Sequence, residues 1–310
     1  ADVPPVHEVR DIKGKLISTL EKTNVSRLSA TGWKPPTPFT VKSAQGEWDL
    51  YGLLYTPTEM KPDAKLPVIV YIYPGPQGGS VGSWSFSASR RDNQALAELG
   101  FVVVQLEGSC NPDRSKSFHD ACYGEMGENT LPDQISGLKQ LQEKYKFLDL
   151  DKVGIWGHSG GGFATAAAMF KYPDFFKVGI SESGNHDNRN YEDDWGERYI
   201  GLETKDSNGV SNYEKQANQT FAKDLKGKLL LIHGGMDDNV PPYNSYLVAD
   251  ALIKANKDFD FLLLPNARHG FGMDSDYIMR RRWDYFLAHL MQATTPKEYL
   301  IKVDPDPRLK

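Results

Sequence analysis

The sequence predicts an α/β fold with a mostly parallel sheet and helices on both of its faces. Strand and helix patterns alternate along most of the 310-residue chain. Several strand patterns are near-continuous apolar runs, such as residues 68–72, which are typical of strands buried on both faces. Hydrophobic residues make up 39% of the chain and aromatic residues 11%, which is enough to fill a large core.

Each element is predicted from its local pattern. Runs rich in β-branched and aromatic residues predict strands at 6–10, 15–20, 49–55, 67–73, 102–106, 153–156, 178–181, 229–233 and 259–264. Apolar residues at helical spacing predict helices at about 91–99, 131–145, 160–171, 242–254 and 277–291.

The first forty residues differ from the rest of the chain. Strands 6–10 and 15–20, joined by a turn at 11–14, predict a hairpin, and a lone hairpin is barely stable in water. Residues 33–38 are rich in proline, which neither a helix nor a central strand tolerates. We therefore expect three parts: a hairpin with its connector at 1–38, an α/β domain at 39–294 and a peripheral tail at 295–310.

Charge and composition exclude several classes of protein. The net charge of −5 and the pI near 5.8 give no electrostatic reason to expect a nucleic-acid partner. The basic triplet Arg280-Arg281-Arg282 lies in a helical pattern and is interpreted as a solvated helix face. No apolar run approaches the roughly 18 residues of a membrane span. Cys110 and Cys122 could pair in an oxidising compartment, and the scattered histidines and cysteines imply no metal or other cofactor.

Two Gly-x-Ser-x-Gly matches offer candidate nucleophiles, at residues 78–82 and 157–161. Such a serine is reactive only where a strand turns sharply into a helix, as in α/β-hydrolases. Ser159 follows the strand pattern that ends at Trp156 and precedes a strong helix former, whereas Ser80 lies in an irregular stretch. The sequence therefore predicts an α/β-hydrolase fold with Ser159 as nucleophile.

A serine nucleophile needs a histidine base and an acid, which follow it in this order: serine, acid, histidine. Of the downstream histidines, His269 lies in a loop after the last strand pattern and follows every acid candidate. The acid is expected after strand 229–233, where Asp237 and Asp238 are adjacent. Spacing leaves that choice open, and the other aspartate is expected to cap the following helix.

The oxyanion formed during attack needs hydrogen-bond donors already aimed at it. The backbone N–H of Gly160, directly after the nucleophile, is one candidate. A second donor is expected from the proline- and glycine-rich loop after strand 67–73. On spacing alone, Tyr73 in this loop is interpreted as a packing residue.

Several motifs together resemble the prolyl oligopeptidase family, most closely the catalytic domains of its dipeptidyl peptidase IV branch. Tyr73-Pro74-Gly75-Pro76 resembles a turn whose tyrosine hydroxyl is the second oxyanion donor, which changes the interpretation of Tyr73. Residues 233–240 resemble the family's His-Gly-x-x-Asp-Asp-Asn-Val segment. The resemblance implies that Asp237 is the triad acid and that Asn239 binds a substrate carbonyl.

The resemblance extends to the substrate pocket, with departures. Tyr191 and Trp195 occupy the positions of two aromatic residues that wall the family's proline-sized pocket, although aromatics at this spacing are usually core packing. The family has tyrosine at both positions, so the tryptophan leaves the size of the pocket open. Gly160 replaces a large residue, and Glu107-Gly108-Ser109-Cys110 lacks the usual Asp-Gly-Arg-Gly.

The resemblance implies a serine peptidase that cleaves after proline or alanine through an acyl-enzyme. A carboxylesterase with the same triad is the alternative, and a non-catalytic binding module is disfavoured by the intact triad. The family also implies an upstream β-propeller, and residues 6–20 resemble the last edge of such a propeller. It further implies a homodimer and a periplasmic or secreted location.

Overall fold

The central sheet of this computed structural model, which describes residues 1–82, 84–128 and 130–301, follows the predicted α/β pattern. Within these residues eight strands form one sheet in the order β10-β9-β8-β7-β5-β6-β4-β3, and β1 pairs separately with β2. The strands are β1 (Val6–Arg10), β2 (Leu16–Lys22), β3 (Thr37–Lys42), β4 (Asp49–Tyr55), β5 (Leu66–Tyr71), β6 (Val102–Leu106), β7 (Leu148–His158), β8 (Phe176–Glu182), β9 (Lys228–Gly234) and β10 (Asp260–Leu264).

Helices connect these strands. They are α1 (Ser26–Ala30), α2 (Asn93–Glu98), α3 (Lys116–His119), α4 (Leu131–Lys144), α5 (Gly160–Lys171), α6 (Asp193–Tyr199), α7 (Tyr243–Lys254) and α8 (Ser275–Leu290). In the described parts of the chain, none of them combines the length and the apolar character needed to cross a bilayer.

The sheet has a hydrophobic core on each face, because successive side chains along a strand point to opposite faces. In β5, Val68 and Val70 join the core beneath α4, α5 and α7, whereas Ile69 and Tyr71 join the core beneath α2 and α8. The central strands pair in parallel, and among the described strands of this sheet β4 alone runs opposite to the others, antiparallel to both of its neighbours, β3 and β6. The predicted fold class is therefore confirmed.

The parallel pairing positions the functional residues. Strands β5, β7, β8, β9 and β10 all run in the same direction, so the loops that follow them emerge at one edge of the sheet. Four of these loops carry the candidate site residues: Tyr73 follows β5, Ser159 follows β7, Asp237 follows β9 and His269 follows β10. We call this edge the catalytic edge, because the predicted catalytic residues lie there.

The N-terminal part contains elements that the sequence did not predict. Helix α1 and the first two residues of β3 fall within the expected connector, so the boundary set between residues 38 and 39 lies inside β3. Strand β3 tolerates Pro38 because it is an edge strand, where a missing N–H leaves no ladder bond unmade. The predicted hairpin is present, and every residue of its two strands is exposed. Residues 302–310 of the expected tail lie outside the described residues.

Candidate active site

Ser159 occupies a sharp turn between β7 and α5. Its φ of 60° and ψ of −122° lie outside the helical region, and α5 begins at the next residue. The backbone N–H of Ser159 donates to the Glu182 carbonyl at 2.8 Å, which fixes the turn against β8. A side chain at Gly161 would overlap the Ile72 carbonyl oxygen, so glycine there allows α5 to pack against β5. Ser80, by contrast, lies in a loop between β5 and α2.

Asp237 and His269 meet at the catalytic edge. His269 Nδ1 lies 2.8 Å from Asp237 Oδ2, and the other carboxylate oxygen accepts the backbone N–H groups of Asn239 and Val240 at 3.1 and 2.9 Å. Burial opposes ionisation of Asp237, but hydrogen bonds from His233, His269 and the backbone outweigh it and hold the pKa of Asp237 well below its usual range. Asp237 is therefore a carboxylate that can orient the imidazole ring of His269.

His233 supports the acid from beneath. Its Nε2 lies 2.9 Å from the Val240 carbonyl oxygen and 3.3 Å from Asp237 Oδ2. Both neighbours are acceptors, so Nε2 carries the proton, and Nδ1 accepts the Ser245 hydroxyl at 2.7 Å. This histidine thus fixes both the acid and the end of the loop that bears it.

Asp238 points away from His269. It pairs with Arg268 at 2.5 Å, and both side chains are about two thirds exposed. The expected helix-capping role for the second aspartate is wrong, because α7 begins after Pro242 without a side-chain cap. The structure therefore separates the two adjacent aspartates that spacing left equivalent.

His269 is packed beside the nucleophile turn. Its ring centroid lies 4.6 Å from that of His158, the residue directly before Ser159. The structure thus brings Ser159, Asp237 and His269 to one place on the catalytic edge, while their catalytic roles stay predictions.

Tyr73 lies over Gly160. A Cβ atom at Gly160 would stand 3.9 Å and 4.0 Å from Cε2 and Cζ of the tyrosine ring, the carbons at its hydroxyl end. Burial raises the pKa of Tyr73, so its hydroxyl keeps its proton at neutral pH. The hydroxyl end of the Tyr73 ring therefore lies beside Gly160, the residue directly after Ser159.

The side chains of Tyr191, Trp195 and Tyr199 pack in a row that we call the aromatic wall. The rings of Tyr191 and Trp195 are 5.8 Å apart, and those of Trp195 and Tyr199 are 5.2 Å apart, at a spacing of one helical turn. Burial raises the pKa of Tyr191 to about 12, and a hydrogen bond with the Asn239 side chain opposes this shift. Asn239, two residues after Asp237, therefore lies near the Tyr191 side chain.

Comparisons with known proteins identify the family of this chain. The sequence profile of the prolyl oligopeptidase family matches residues 84–293. The chain belongs to the prolyl oligopeptidase family. Dipeptidyl peptidase 8 of Mus musculus is 30% identical over 292 residues, which make up 93% of this chain and 31% of that protein. Prolyl endopeptidase FAP of Homo sapiens is 29% identical over 75% of this chain and 30% of its own length.

Solved structures show the same relationship. Dipeptidyl peptidase 4 of Porphyromonas gingivalis superposes with a TM-score of 0.79 and 25% identity, covering 94% of this chain and 41% of that chain. This member of the prolyl oligopeptidase family therefore spans about a third of the length of the curated relatives compared above.

A disulfide lies beside the turn of residues 73–76, which follows β5. Cys110 and Cys122, whose pairing the sequence left open, form a disulfide with a Cα–Cα distance of 5.8 Å. Between them lies His119, whose Nε2 is 2.9 Å from the Pro76 carbonyl oxygen. A cavity of about 500 Å³ is lined by the disulfide, Pro76 and Tyr199. Among the described residues no group of three or more His, Cys, Asp or Glu side chains is arranged to hold a metal ion.

The interpretation of the basic triplet as a solvated helix face is wrong for Arg282, which is buried. Its guanidinium donates to Glu182 Oε1 through Nε and Nη2, at 3.0 and 2.7 Å, and to Asp92 Oδ2 through Nη1 at 2.6 Å. The group also stacks over the Trp156 ring, 3.5 Å from its centroid, and the residue is only 7% exposed. The signal in the sequence is its position four residues after Ile278, on the buried face of α8.

His158 is a second feature that the sequence did not single out. Its Nδ1 lies 3.8 Å from Glu182 Oε2 and its ring packs against His269. Burial, aided by the nearby charges of His269 and Arg91, lowers the pKa of His158 to about 3. His158 is therefore uncharged at neutral pH, and it adds no positive charge beside His269.

This buried histidine predicts acid sensitivity. The unfolded chain binds the His158 proton below about pH 6.5, whereas the folded protein binds it only below about pH 3. The unfolding free energy should therefore fall as pH falls through this window, by up to about 1.4 kcal/mol per pH unit for this one group. Urea unfolding at several pH values measures this dependence. The unfolding free energy of His158→Gln should change less steeply with pH than that of the wild type. Equal slopes would contradict the assignment.

Proposed function

We propose that this chain is the catalytic domain of a serine peptidase of the dipeptidyl peptidase type, which cleaves after proline or alanine. The observation that carries the proposal is the 2.8 Å contact between His269 Nδ1 and Asp237 Oδ2 beside the strained turn of Ser159. The names of the relatives, dipeptidyl peptidases 8 and 4, support the substrate class.

The mechanism follows from proton positions. Asp237 accepts a hydrogen bond from Nδ1 of His269, so Nε2 of the neutral ring is unprotonated and can accept the Ser159 hydroxyl proton as Oγ attacks the carbonyl carbon. Asp237 stabilises the imidazolium that forms. His269 then gives the proton to the leaving amine, the C–N bond breaks, and an acyl-enzyme remains on Ser159. Water, deprotonated by His269, then attacks this ester, and His269 returns the proton to Ser159 Oγ as the C–O bond breaks and the acid product leaves.

Two donors would stabilise the oxyanion, the Gly160 N–H and the Tyr73 hydroxyl. Tyr73→Phe removes one of them while keeping the ring against Gly160. We expect kcat to fall by roughly 10²–10³ with little change in KM, since the donor acts on charge that develops in the transition state. Steady-state kinetics with a dipeptide anilide measure this, and an unchanged kcat would return Tyr73 to a packing role.

The substrate would lie between the aromatic wall and the acid loop. Tyr191 and Trp195 would flank the side chain of the residue whose carbonyl is attacked, and Asn239 would donate to the preceding carbonyl. The proximity of the Asn239 side chain to Tyr191 supports this arrangement.

Active-site labelling tests the proposal. A fluorophosphonate should label the wild type and Ser80→Ala but not Ser159→Ala, and a wild type that resists labelling would remove every hydrolase assignment. Gly-Pro and Ala-Ala anilides should then be compared with short acyl esters. Turnover of esters alone would favour the carboxylesterase alternative.

The proposal includes an upstream β-propeller and a homodimer. The curated relatives are about three times as long as this chain, and the hairpin of β1 and β2 is exposed throughout, including the apolar side chains of Ile17 and Leu20. Light scattering and a structure of a longer chain would test both parts. A hairpin that packs on its own sheet in such a structure would contradict the propeller.

A further inference from the structure

The side chain of Gln77 bridges two residues of the site. Its Nε2 lies 2.8 Å from the hydroxyl oxygen of Tyr73, and its Oε1 lies 3.1 Å from Nε1 of Trp195. We propose that Gln77 is a positioning residue that holds the Tyr73 hydroxyl proton toward the oxyanion and couples this donor to the Trp195 wall of the pocket. This inference rests on the proposed role of Tyr73 in catalysis.

The chemistry of the three groups fixes the direction of both hydrogen bonds. An indole N–H is a donor only, so the atom of Gln77 that faces Trp195 must be the amide oxygen. The NH₂ group therefore faces Tyr73 and donates to its hydroxyl oxygen. Without the indole, the amide could turn over and accept the tyrosine proton instead.

This direction leaves the hydroxyl proton of Tyr73 free. A phenol has a single O–H proton, and with its oxygen accepting from Gln77 that proton is available to another acceptor. The ring lies over Gly160, so the acceptor in this place would be the oxyanion. A hydrogen bond donated to the phenol oxygen also makes the phenol a stronger donor. In agreement, burial raises the pKa of Tyr73 and the Gln77 hydrogen bond opposes that rise.

The arrangement would connect Trp195 to the oxyanion donor through Gln77. Trp195 lies on α6, and its ring contacts Tyr191 on one side and Tyr199 on the other. Any substrate that displaces this ring would disturb the Gln77 amide and with it the aim of the Tyr73 hydroxyl. Gln77 itself lies at the surface of the turn, where replacing it leaves the core intact.

Two variants of Gln77 separate positioning from shape. Gln77→Met removes both hydrogen bonds, and we expect kcat to fall about 3- to 10-fold. Gln77→Glu keeps the shape and can still accept from Trp195, but its carboxylate would also accept the Tyr73 proton. We therefore expect Gln77→Glu to be the slower enzyme, approaching the roughly 10²–10³-fold loss of Tyr73→Phe, with KM within about threefold of the wild type. A role in shape alone predicts the opposite ranking, which would overturn the proposal.

The pH profile adds a second readout. Protonation of the carboxylate introduced by Gln77→Glu restores a donor at this position. The ratio of Gln77→Glu to wild-type kcat should therefore rise as pH falls through the titration of that carboxyl group. A ratio that is constant with pH would contradict the idea that the introduced carboxylate accepts the Tyr73 proton, and would overturn the proposal.

The Tyr73→Phe background tests whether Gln77 acts through this hydroxyl. There, Gln77→Met and Gln77→Glu should each change kcat by less than about twofold, because the group they affect is gone. Losses as large as those in the wild-type background would overturn the proposal. Trp195→Phe should cause an intermediate loss, and Gln77→Met should add less to it than to the wild type.

A measurement without substrate separates this inference from the proposed function. NMR of ¹³C-labelled tyrosine, assigned with Tyr73→Phe, should give a higher Tyr73 pKa in Gln77→Met than in the wild type. An equal pKa would overturn the inference even in an active enzyme. Conversely, a raised pKa in a protein that resists fluorophosphonate would uphold the Gln77 contact while the proposed peptidase function fails.

Discussion

Asp237→Asn should lower kcat by roughly 10⁴ while leaving the fold intact. Oδ1 of Asp237 accepts two backbone N–H groups, from Asn239 and Val240, so the amide oxygen of an asparagine would take that place. Its NH₂ group would then face His269 Nδ1, where Oδ2 now accepts. The neutral ring would carry its proton on Nε2, which could no longer accept the Ser159 proton.

The neighbouring Asp238 provides a matched control. Asp238→Asn changes the same charge one residue away but breaks only the exposed pair with Arg268, which contributes at most about 1 kcal/mol. Its kcat with a dipeptide anilide should stay within about twofold of the wild type. Equal losses in the two variants, at equal melting temperatures, would remove Asp237 from the triad.

Much of this site could be predicted from the sequence, because strand ends and turn chemistry are local signals. The run before Gly157 and the helix former after Gly161 identified the Ser159 turn, and the structure has β7 and α5 there. The order of the chain identified His269. The choice of Asp237 over Asp238 depends on a family motif. The two residues are chemically identical neighbours, and only the folded loop determines which side chain points toward His269.

The remaining features depend on contacts between distant parts of the chain. Gln77 and Trp195 are 118 residues apart in sequence, and no local pattern pairs them. Strand β3 was not predicted because the sequence signal of Pro38 is that of a strand breaker, and only its place at the edge of the sheet makes a strand possible there. Arg282 was assigned to solvent because charge patterning assumes that a basic triplet shares one environment.

Arg282→Met should destabilise the protein by about 3–5 kcal/mol. The guanidinium is the hydrogen-bond partner of two buried carboxylates, Glu182 and Asp92, and removing it leaves both charges without compensation. Burial already raises the pKa of Glu182 although Arg282 opposes it. Without the arginine this carboxyl group should take up a proton, so the loss of stability should grow as pH rises above the unfolded value of about 4.3. Urea unfolding near pH 5 and pH 8 measures both effects.

Two further variants decide whether buried charge is the cause. Arg281→Met removes the adjacent arginine, whose Nη1 contacts only the exposed Tyr277 hydroxyl among its described hydrogen bonds, and should change stability by less than about 0.5 kcal/mol. Combining Arg282→Met with Glu182→Gln and Asp92→Asn neutralises all three groups and should restore most of the lost stability. A triple variant as unstable as Arg282→Met would instead assign the effect to lost packing against Trp156. Because the Glu182 carbonyl also holds the Ser159 N–H, recovery of stability together with kcat would tie this ion cluster to the geometry of the nucleophile turn.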